Sequence, residues 1–137
     1  MERDDLGSLF AQVTRRLVDA ERPLLAAHGL TMWEYIALSR LHAQPAGTQA
    51  ELAQTMHYDK TRLIALLDKL EADRLLTREP DPVDRRARIV RLTAAGEARY
   101  AAARADIRVM ENEMLGGLSS SERTSLIELV VRLAADS

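Results

Sequence analysis

The spacing of apolar residues changes once along this chain, and that change limits the folds that the chain can adopt. Over most of the sequence, apolar residues recur at the spacing of one helix face. Two segments differ: "LLTRE" (75 to 79) and "RIVRL" (88 to 92) have the composition of short strands, and a segment rich in proline and acidic residues separates them. The sequence therefore predicts a mainly α-helical fold that contains one small β-hairpin.

Helices are predicted on the N-terminal side of this hairpin. The first covers about residues 6–27, and Pro23 should kink or end it near Arg22, because proline removes a helical hydrogen bond. Thr31 can cap a second helix, which should end at "QPAG" (44 to 47) because proline and glycine interrupt helices.

Capping residues mark the remaining helices. "TQAE" (48 to 51) and "SSSE" (119 to 122) have the Ser/Thr-x-x-Glu form of a capping box, in which two free backbone donors are satisfied reciprocally. Asp59 can cap a helix that reaches about Asp73, and a long helix is expected from about residue 94 to 115. The middle of the chain thus has the order helix, short helix, tight turn, helix, hairpin.

Basic charge is concentrated in one part of an acidic chain. The 137 residues carry a formal net charge of -2. Residues 60–91 reverse that balance, because nine basic side chains outnumber six acidic ones there. Such a local excess beside turn signals favours a polyanionic partner. The nine are Lys60, Arg62, Lys69, Arg74, Arg78, Arg85, Arg86, Arg88 and Arg91.

Several classes of protein are disfavoured by what the sequence lacks. Without cysteine there is no disulfide framework and no thiolate metal site, which fits a reducing, cytoplasmic setting. His28, His42 and His57 share no metal-ligand spacing, so neither a metal nor another cofactor is expected. No apolar run is long enough for a membrane span, and no nucleophile elbow or phosphate-binding glycine loop indicates an enzyme.

The order of elements describes a winged helix-turn-helix. In this motif the second helix of the pair enters the major groove with its N-terminal residues at the base edges. Lys60, Thr61 and Arg62 occupy that first turn, where the helix dipole also favours a phosphate. An arginine-rich hairpin can reach a neighbouring minor groove. The hairpin and helix together therefore predict a surface that binds double-stranded DNA.

Three segments resemble the MarR-type transcriptional regulators. "DPVDRRARIVRLTAAG" (81 to 96) is similar to the wing signature of that family, an Asp-x-Arg-Arg run leading into a strand that ends in Leu-Thr, with glycine shortly after. "DKTRLIALLDKLEADRLLTRE" (59 to 79) resembles the recognition helix and first wing strand. "HGLTMWEYIALSRL" (28 to 41) resembles the usual Gly-Leu-Thr start of the second helix. The resemblance covers essentially the whole chain.

This resemblance implies a sequence-specific regulator of transcription, a ligand-responsive repressor that binds a pseudo-palindromic operator as a homodimer. Residues 31–93 would form the winged helix-turn-helix lobe, and residues 1–30 and 94–137 a helical dimerisation region. The first and last helices each have an apolar face that a monomer would leave exposed to water. A winged-helix adaptor, which docks an acidic protein through the same charged wing, is the alternative.

The family pattern also implies roles for individual residues. Arg86 is the expected minor-groove arginine, with Arg85 beside it, and Asp84 would brace the wing by pairing with a neighbouring arginine such as Arg88. A surface hairpin held by salt bridges to Asp81 and Asp84 is the simpler alternative for these arginines. The predicted DNA-binding set is Lys60, Thr61, Arg62, Arg85, Arg86 and Arg88.

Two positions depart from the family pattern. The recognition helix has Ile64 and Ala65 where polar or basic residues are common, so base reading there would be thinner or would use thymine methyl groups. Arg74 replaces the glycine that usually ends this helix, so that the turn takes another form or strains a non-glycine residue.

A small aromatic or phenolic effector is the second partner that the resemblance implies. Its pocket usually lies between the dimerisation and DNA-binding parts of such proteins, and His28, Trp33, Tyr35 and Tyr58 are the candidate lining residues. Core packing is the simplest interpretation of Trp33, because apolar stripes on helices usually pack against their neighbours.

Overall fold

The computed structural model describes residues 2–45 and 47–135, and over these residues it contains six helices and one three-stranded sheet. This confirms the predicted fold class, mainly α with a small hairpin after a helix-turn-helix pair. In chain order the elements are α1 (Leu6–Ala27), α2 (Met32–Ala43), β1 (Gly47–Thr48), α3 (Gln49–Met56), α4 (Lys60–Ala72), β2 (Leu76–Pro80), β3 (Arg88–Leu92), α5 (Ala94–Met114) and α6 (Ser120–Ala135).

One apolar core holds the central elements together. α4 contributes Leu63, Leu67 and Leu70, one face of the helix, and it packs on α3 and β2. The other buried side chains come from α1 to α3, the sheet and α5, and they include Leu25, Leu38, Leu41, Leu52, Met56, Leu75, Leu76, Val90, Tyr100 and Ile107. The apolar face of α4, the recognition helix, is therefore packed on the core, and its opposite face stays exposed.

Side-chain caps begin the helices where the sequence predicts them. Thr31 and Glu34 form a complete capping box at α2, and Ser119 and Glu122 form another before α6. The capping box predicted at residues 48–51 is only half present. The Thr48 hydroxyl accepts a hydrogen bond from the Glu51 amide, as in a capping box. The Glu51 carboxylate, however, accepts its hydrogen bond from the Thr48 hydroxyl and not from the Thr48 amide.

α1 covers Leu6–Ala27, as predicted, and of the two outcomes expected at Pro23 it does not show an end near Arg22. One feature of the fold differs from the sequence-based expectation. The sheet has a third strand, because Gly47 and Thr48 pair with β3 on the side opposite to β2. A strand of two residues is too short to produce a visible period.

The chain between α4 and β2 turns through a strained residue. Arg74 has a φ of 62°, in the left-handed region that favours glycine, and the next amide, of Leu75, donates to the Leu70 carbonyl. This confirms the strained alternative for Arg74. α5 then passes close to this turn, and a Cβ on Gly96 would lie 2.0 Å from the Leu75 carbonyl oxygen. Only glycine allows this approach.

The terminal helices leave large apolar surfaces exposed in the single chain. Throughout α6 no residue is buried, and α1 exposes Leu6, Phe10 and Val13. On α6 the exposed apolar side chains are Leu126, Ile127, Leu129, Val130, Val131 and Leu133. In soluble proteins, large exposed apolar patches mark interaction sites. Within the described residues, no helix is long and apolar enough to cross a membrane.

Candidate nucleic-acid interface

The first turn of α4 presents its side chains to solvent in a defined orientation. The Asp59 carboxylate accepts the Arg62 amide at 2.9 Å, which caps the helix and fixes where it begins. Lys60, Thr61 and Arg62 are all exposed in this turn. The positive end of the helix dipole lies here as well, so the turn is suited to an anionic partner.

An aromatic stack supports Arg62 from the side. Its guanidinium lies 5.1 Å from the centre of the Tyr58 ring, and that ring lies 4.6 Å from the ring of Trp33. Trp33 is 39% exposed, so the expectation that it packs in the core is wrong. The stack connects the start of α2 to the start of the recognition helix.

The wing, which we define as β2, β3 and the loop 81–87, is a closed hairpin. β2 and β3 are antiparallel, with Pro80 opposite Arg88 at the end of the ladder that the loop closes. The Asp81 amide donates to the Ala87 carbonyl at 2.9 Å, and the Asp81 carboxylate accepts the Val83 amide at 2.9 Å. These bonds give the loop one local geometry.

Asp84 orients one of the exposed arginines of the wing. Its carboxylate oxygen Oδ1 accepts the Arg86 amide at 3.1 Å and the Arg86 Nε hydrogen at 3.3 Å. The partner is therefore Arg86 and not Arg88 as the sequence suggested, because the tight loop brings the backbone of Arg86 back to Asp84. The Arg86 side chain is still 93% exposed, so this single contact leaves most of its guanidinium available. Arg85 and Arg88 are exposed too.

A groove of about 200 Å³ lies between the wing and the recognition helix. Lys60 contributes from the helix, and Arg86 and Arg88 contribute from the wing, so the structure brings together three of the six predicted DNA-binding residues. The remaining lining residues are Thr48, Gln49, Ala50, Leu63, Ile64 and Ala87. The lining of the groove thus combines three cationic side chains with apolar ones.

Arg78 belongs to the basic segment but contributes little to this surface. It lies in β2 with a side chain only 15% exposed, and its guanidinium contacts Asp68 at 2.5 Å and Glu71 at 2.7 Å, both on α4. It also donates to the Gln49 side chain of α3 at 3.4 Å. Hydrogen bonds from the Arg78 side chain lower the pKa of Glu71. The contacts attach the wing to both helices of the helix-turn-helix pair, and charge counting could not separate Arg78 from the exposed arginines.

A second ion pair fixes the far end of the recognition helix. Lys69 Nζ lies 2.6 Å from the Glu34 carboxylate, which is buried at the start of α2. Burial by itself raises the pKa of Glu34, but the hydrogen bonds from Lys69 and Thr31 outweigh it, and the net pKa is lowered. Glu34 therefore stays ionised, caps α2 and holds α4. Glu34 was not among the predicted site residues, although the capping-box spacing from Thr31 could have indicated it.

The four candidate effector residues divide between two places. Trp33 and Tyr58 contact each other beside the recognition helix. His28 instead bonds to Asp106 on α5 at 2.6 Å, and the ring of Tyr35 lies 5.5 Å from that of Tyr100, also on α5. Burial raises the pKa of Tyr35 to about 12, so its phenol keeps its proton and can act as a donor.

Within residues 2–45 and 47–135, no group of three or more His, Asp or Glu side chains is arranged to hold a metal ion.

Comparison with known proteins places this geometry among regulators of transcription. A sequence model of the MarR family matches residues 28–87, the segment that contains the helix-turn-helix and most of the wing. The transcriptional repressor CouR, solved on a 23-mer DNA duplex, is 27% identical, with a TM-score of 0.83 over 98% of this chain and 99% of CouR.

Two further solved structures are similar over nearly the whole chain. A MarR-family protein of Mycobacterium tuberculosis in complex with DNA is 25% identical, with a TM-score of 0.84 over 97% of this chain and 100% of the other. The PcaV transcriptional regulator of Streptomyces coelicolor, in complex with its natural ligand, is 26% identical, with a TM-score of 0.72 over 98% and 97% of the two chains.

Proposed function

Since this chain belongs to the MarR family of DNA-binding transcription regulators, we propose that it is a homodimeric repressor that binds a specific double-stranded operator and responds to a small ligand. The observation that carries the proposal is the groove that Lys60 of the recognition helix shares with Arg86 and Arg88 of the wing. Three cations around one groove, on a chain with a net charge of -2, favour a polyanion. Proteins of this family are regulators and not enzymes, so no catalytic role is assigned.

The N-terminal turn of α4 would lie in the major groove, and the wing would reach the adjacent minor groove. Residues 60–62 are exposed at the positive end of α4, where they can contact phosphates or base edges. Arg86 is held outward by Asp84, which suits it to a narrow minor groove, with Arg85 beside it. Arg88, at the loop end of β3, would add a phosphate contact. In this scheme Asp84 is a positioning residue.

A second copy of the chain would cover the terminal helices. The exposed apolar faces of α1 and α6 are large for a monomer, and their burial would supply the hydrophobic core of an obligate interface. A two-fold dimer presents two recognition helices, so its operator would be a pseudo-palindrome with half-sites about one helical turn apart. Residues 1–30 and 94–137 would then be the dimerisation region, and residues 31–93 the DNA-binding lobe.

A ligand would act by selecting between two dimer states that differ in the separation of the recognition helices. It can favour the state that releases DNA only by its difference in affinity for the two. The natural ligand of PcaV supports this part of the proposal by analogy. Tyr35 of the lobe contacts Tyr100 of α5, and His28 contacts Asp106 of the same helix, which supports an effector site beside α5. The Trp33–Tyr58 pair offers aromatic surface for a phenolic compound.

Selection of bound sequences from a random duplex pool is the direct test of operator binding. We expect a pseudo-palindrome to be enriched, and its affinity to fall steeply as salt is raised, because phosphate contacts release counterions. Arg86→Ala should weaken binding by about 1–3 kcal/mol with the dimer intact. Arg3→Ala is the matched control, since it removes the same charge from an exposed site outside the groove.

Three results would contradict the proposal. The first is a pool with no enriched duplex, which would favour the adaptor alternative if an acidic protein partner were bound through the wing. The second is equal affinity of Arg86→Ala and Arg3→Ala, which would remove the wing from the interface. The third is a panel of aromatic acids that never alters operator affinity, which would remove ligand control and leave DNA binding in place.

A further inference from the structure

Ile64 is an exposed apolar side chain on the outer face of the recognition helix. It is 48% exposed, whereas its neighbour Leu63 on the same helix is 1% exposed and belongs to the core. The other large apolar side chains exposed in the described part of the DNA-binding lobe are Trp33 and Val83. Trp33 is stacked on Tyr58, and Val83 lies in the wing loop, so Ile64 is the one that lines the groove.

The surroundings of Ile64 are cationic. It lies one helical turn after Lys60 and on the same face, because residues four apart on a helix are neighbours. Arg86 and Arg88 line the same groove from the wing. The side chain therefore forms an apolar spot within a cationic surface, and its partner should combine an apolar group with surrounding negative charge.

Neither of the usual roles of an apolar helix residue fits Ile64. It does not stabilise the core, since α4 already buries Leu63, Leu67 and Leu70 on its other face. It also lies on α4, outside the terminal helices whose apolar faces we assign to the dimer. An exposed isoleucine in the position that should read bases therefore needs a binding partner of its own.

We infer that Ile64 recognises a thymine in each operator half-site through the C5-methyl group of the base. This methyl is the apolar group that base edges present in the major groove, and the flanking phosphates supply the negative charge that the three cations require. A β-branched side chain on a helix is restricted to few rotamers, so its methyl groups are held in place before DNA binds. The inference rests on the proposed function and specifies what the recognition helix reads.

Deoxyuridine substitution tests the contact directly, because uracil keeps the pairing edge and the O4 acceptor of thymine and lacks only the methyl. Each thymine of the selected operator is replaced singly, and affinity is measured for the full-length dimer. We expect one position per half-site at which the wild-type protein loses about fourfold in affinity, the value of burying one methyl group. Other thymines should show little change.

Ile64 variants, combined with the uracil replacement, complete a double-mutant cycle. Ile64→Ala should bind the thymine operator about fourfold more weakly per half-site and show no further loss with uracil at that position. Ile64→Val, which keeps a branched apolar side chain, should retain most of the uracil penalty. Val83→Ala is the matched control for loss of an exposed apolar residue in the same lobe, and it should keep the full penalty. Circular dichroism checks that each variant is folded.

The outcomes separate this inference from the proposed function. If the protein binds a selected duplex in a salt-dependent way but the uracil penalty is the same for wild type and Ile64→Ala, the inference is wrong and the function stands. The same holds if the half-site has no thymine within reach of the recognition helix. If no duplex is selected, both are wrong.

Discussion

Arg78→Met tests whether one partly buried arginine holds the wing against the recognition helix. The Arg78 guanidinium pairs with Asp68 and Glu71, whose side chains are 60% and 40% exposed. Methionine has a similar length and no charge, so it removes both pairs while filling much of the same space. Two ion pairs of this exposure contribute about 0.2–1 kcal/mol each, and the hydrogen bond to Gln49 about 1 kcal/mol. We therefore expect the free energy of unfolding to fall by about 1–3 kcal/mol.

This loss should depend on pH, because the ionisation of Glu71 is coupled to Arg78. Hydrogen bonds from the arginine lower the pKa of Glu71 in the folded protein. A carboxyl of this kind contributes stability that is present above its unfolded pKa and is lost as the pH falls through its folded pKa. Wild type and Arg78→Met should therefore differ most near neutral pH and converge as the pH falls below the ordinary pKa of a glutamate and acid protonates Glu71.

Urea unfolding followed by circular dichroism measures the effect, at one fixed protomer concentration because the stability of an associating protein depends on concentration. Glu71→Gln in both backgrounds completes a double-mutant cycle. Arg91→Met is the control, since Arg91 is exposed on the adjacent strand. Additive effects of Arg78→Met and Glu71→Gln, or a loss for Arg91→Met as large as that for Arg78→Met, would refute the reasoning.

Three further predictions concern other elements. Ile127→Glu on α6 should shift the molecular mass in sedimentation equilibrium from dimer to monomer, because it places a charge in an apolar interface. Val83→Glu should leave the mass unchanged, and a dimeric Ile127→Glu protein would contradict the proposed interface. Gly96→Ala should lower the free energy of unfolding by about 3 kcal/mol, because its Cβ would meet the Leu75 carbonyl. Gly7→Ala, in open space on α1, should raise the free energy of unfolding by up to about 1 kcal/mol. Equal urea midpoints for the two variants would argue against the close approach of α5 to Leu75. Asp59→Ala should cost about 1 kcal/mol of unfolding free energy through loss of the α4 cap, whereas an unchanged urea midpoint would show that the cap contributes little.

The contacts of the recognition helix suggest how a signal could reach DNA. Lys69 ties its C-terminal end to the buried Glu34 of α2, and the stack of Arg62 on Tyr58 and Trp33 ties its N-terminal end to the same helix. α2 also packs on α5, which belongs to the proposed dimerisation region. A shift of α5 relative to α2 would therefore move both ends of the recognition helix together.

Most of the secondary structure could be predicted because its determinants are local. The apolar period, the cap at Asp59 and the capping boxes at Thr31 and Ser119 each involve residues within one helical turn of one another. The exposure of residues 60–62 follows from the same pattern. A helix that buries one apolar face leaves the side chains of its first turn on the opposite face exposed to solvent. The candidate interface was visible in the sequence for this reason.

Long-range contacts decided the rest. Arg78 was counted with the exposed arginines, but pairing of β2 with β3 places it over α4, beside carboxylates seven and ten residues away. Trp33 is half-exposed because its ring stacks on Tyr58, which belongs to the turn between α3 and α4. β1 exists only because β3 offers it a free edge.

The amino-acid sequence by itself determined where the helices and the two hairpin strands begin, which face of each helix is apolar, and which segment is basic. The tertiary structure alone decided which of those basic side chains remain available to a partner, that Asp84 serves Arg86, and that Ile64 lies among three cations. The physical reason is distance along the chain. Periods and caps act between neighbours, whereas ion pairs and grooves form between segments that only the folded path brings together.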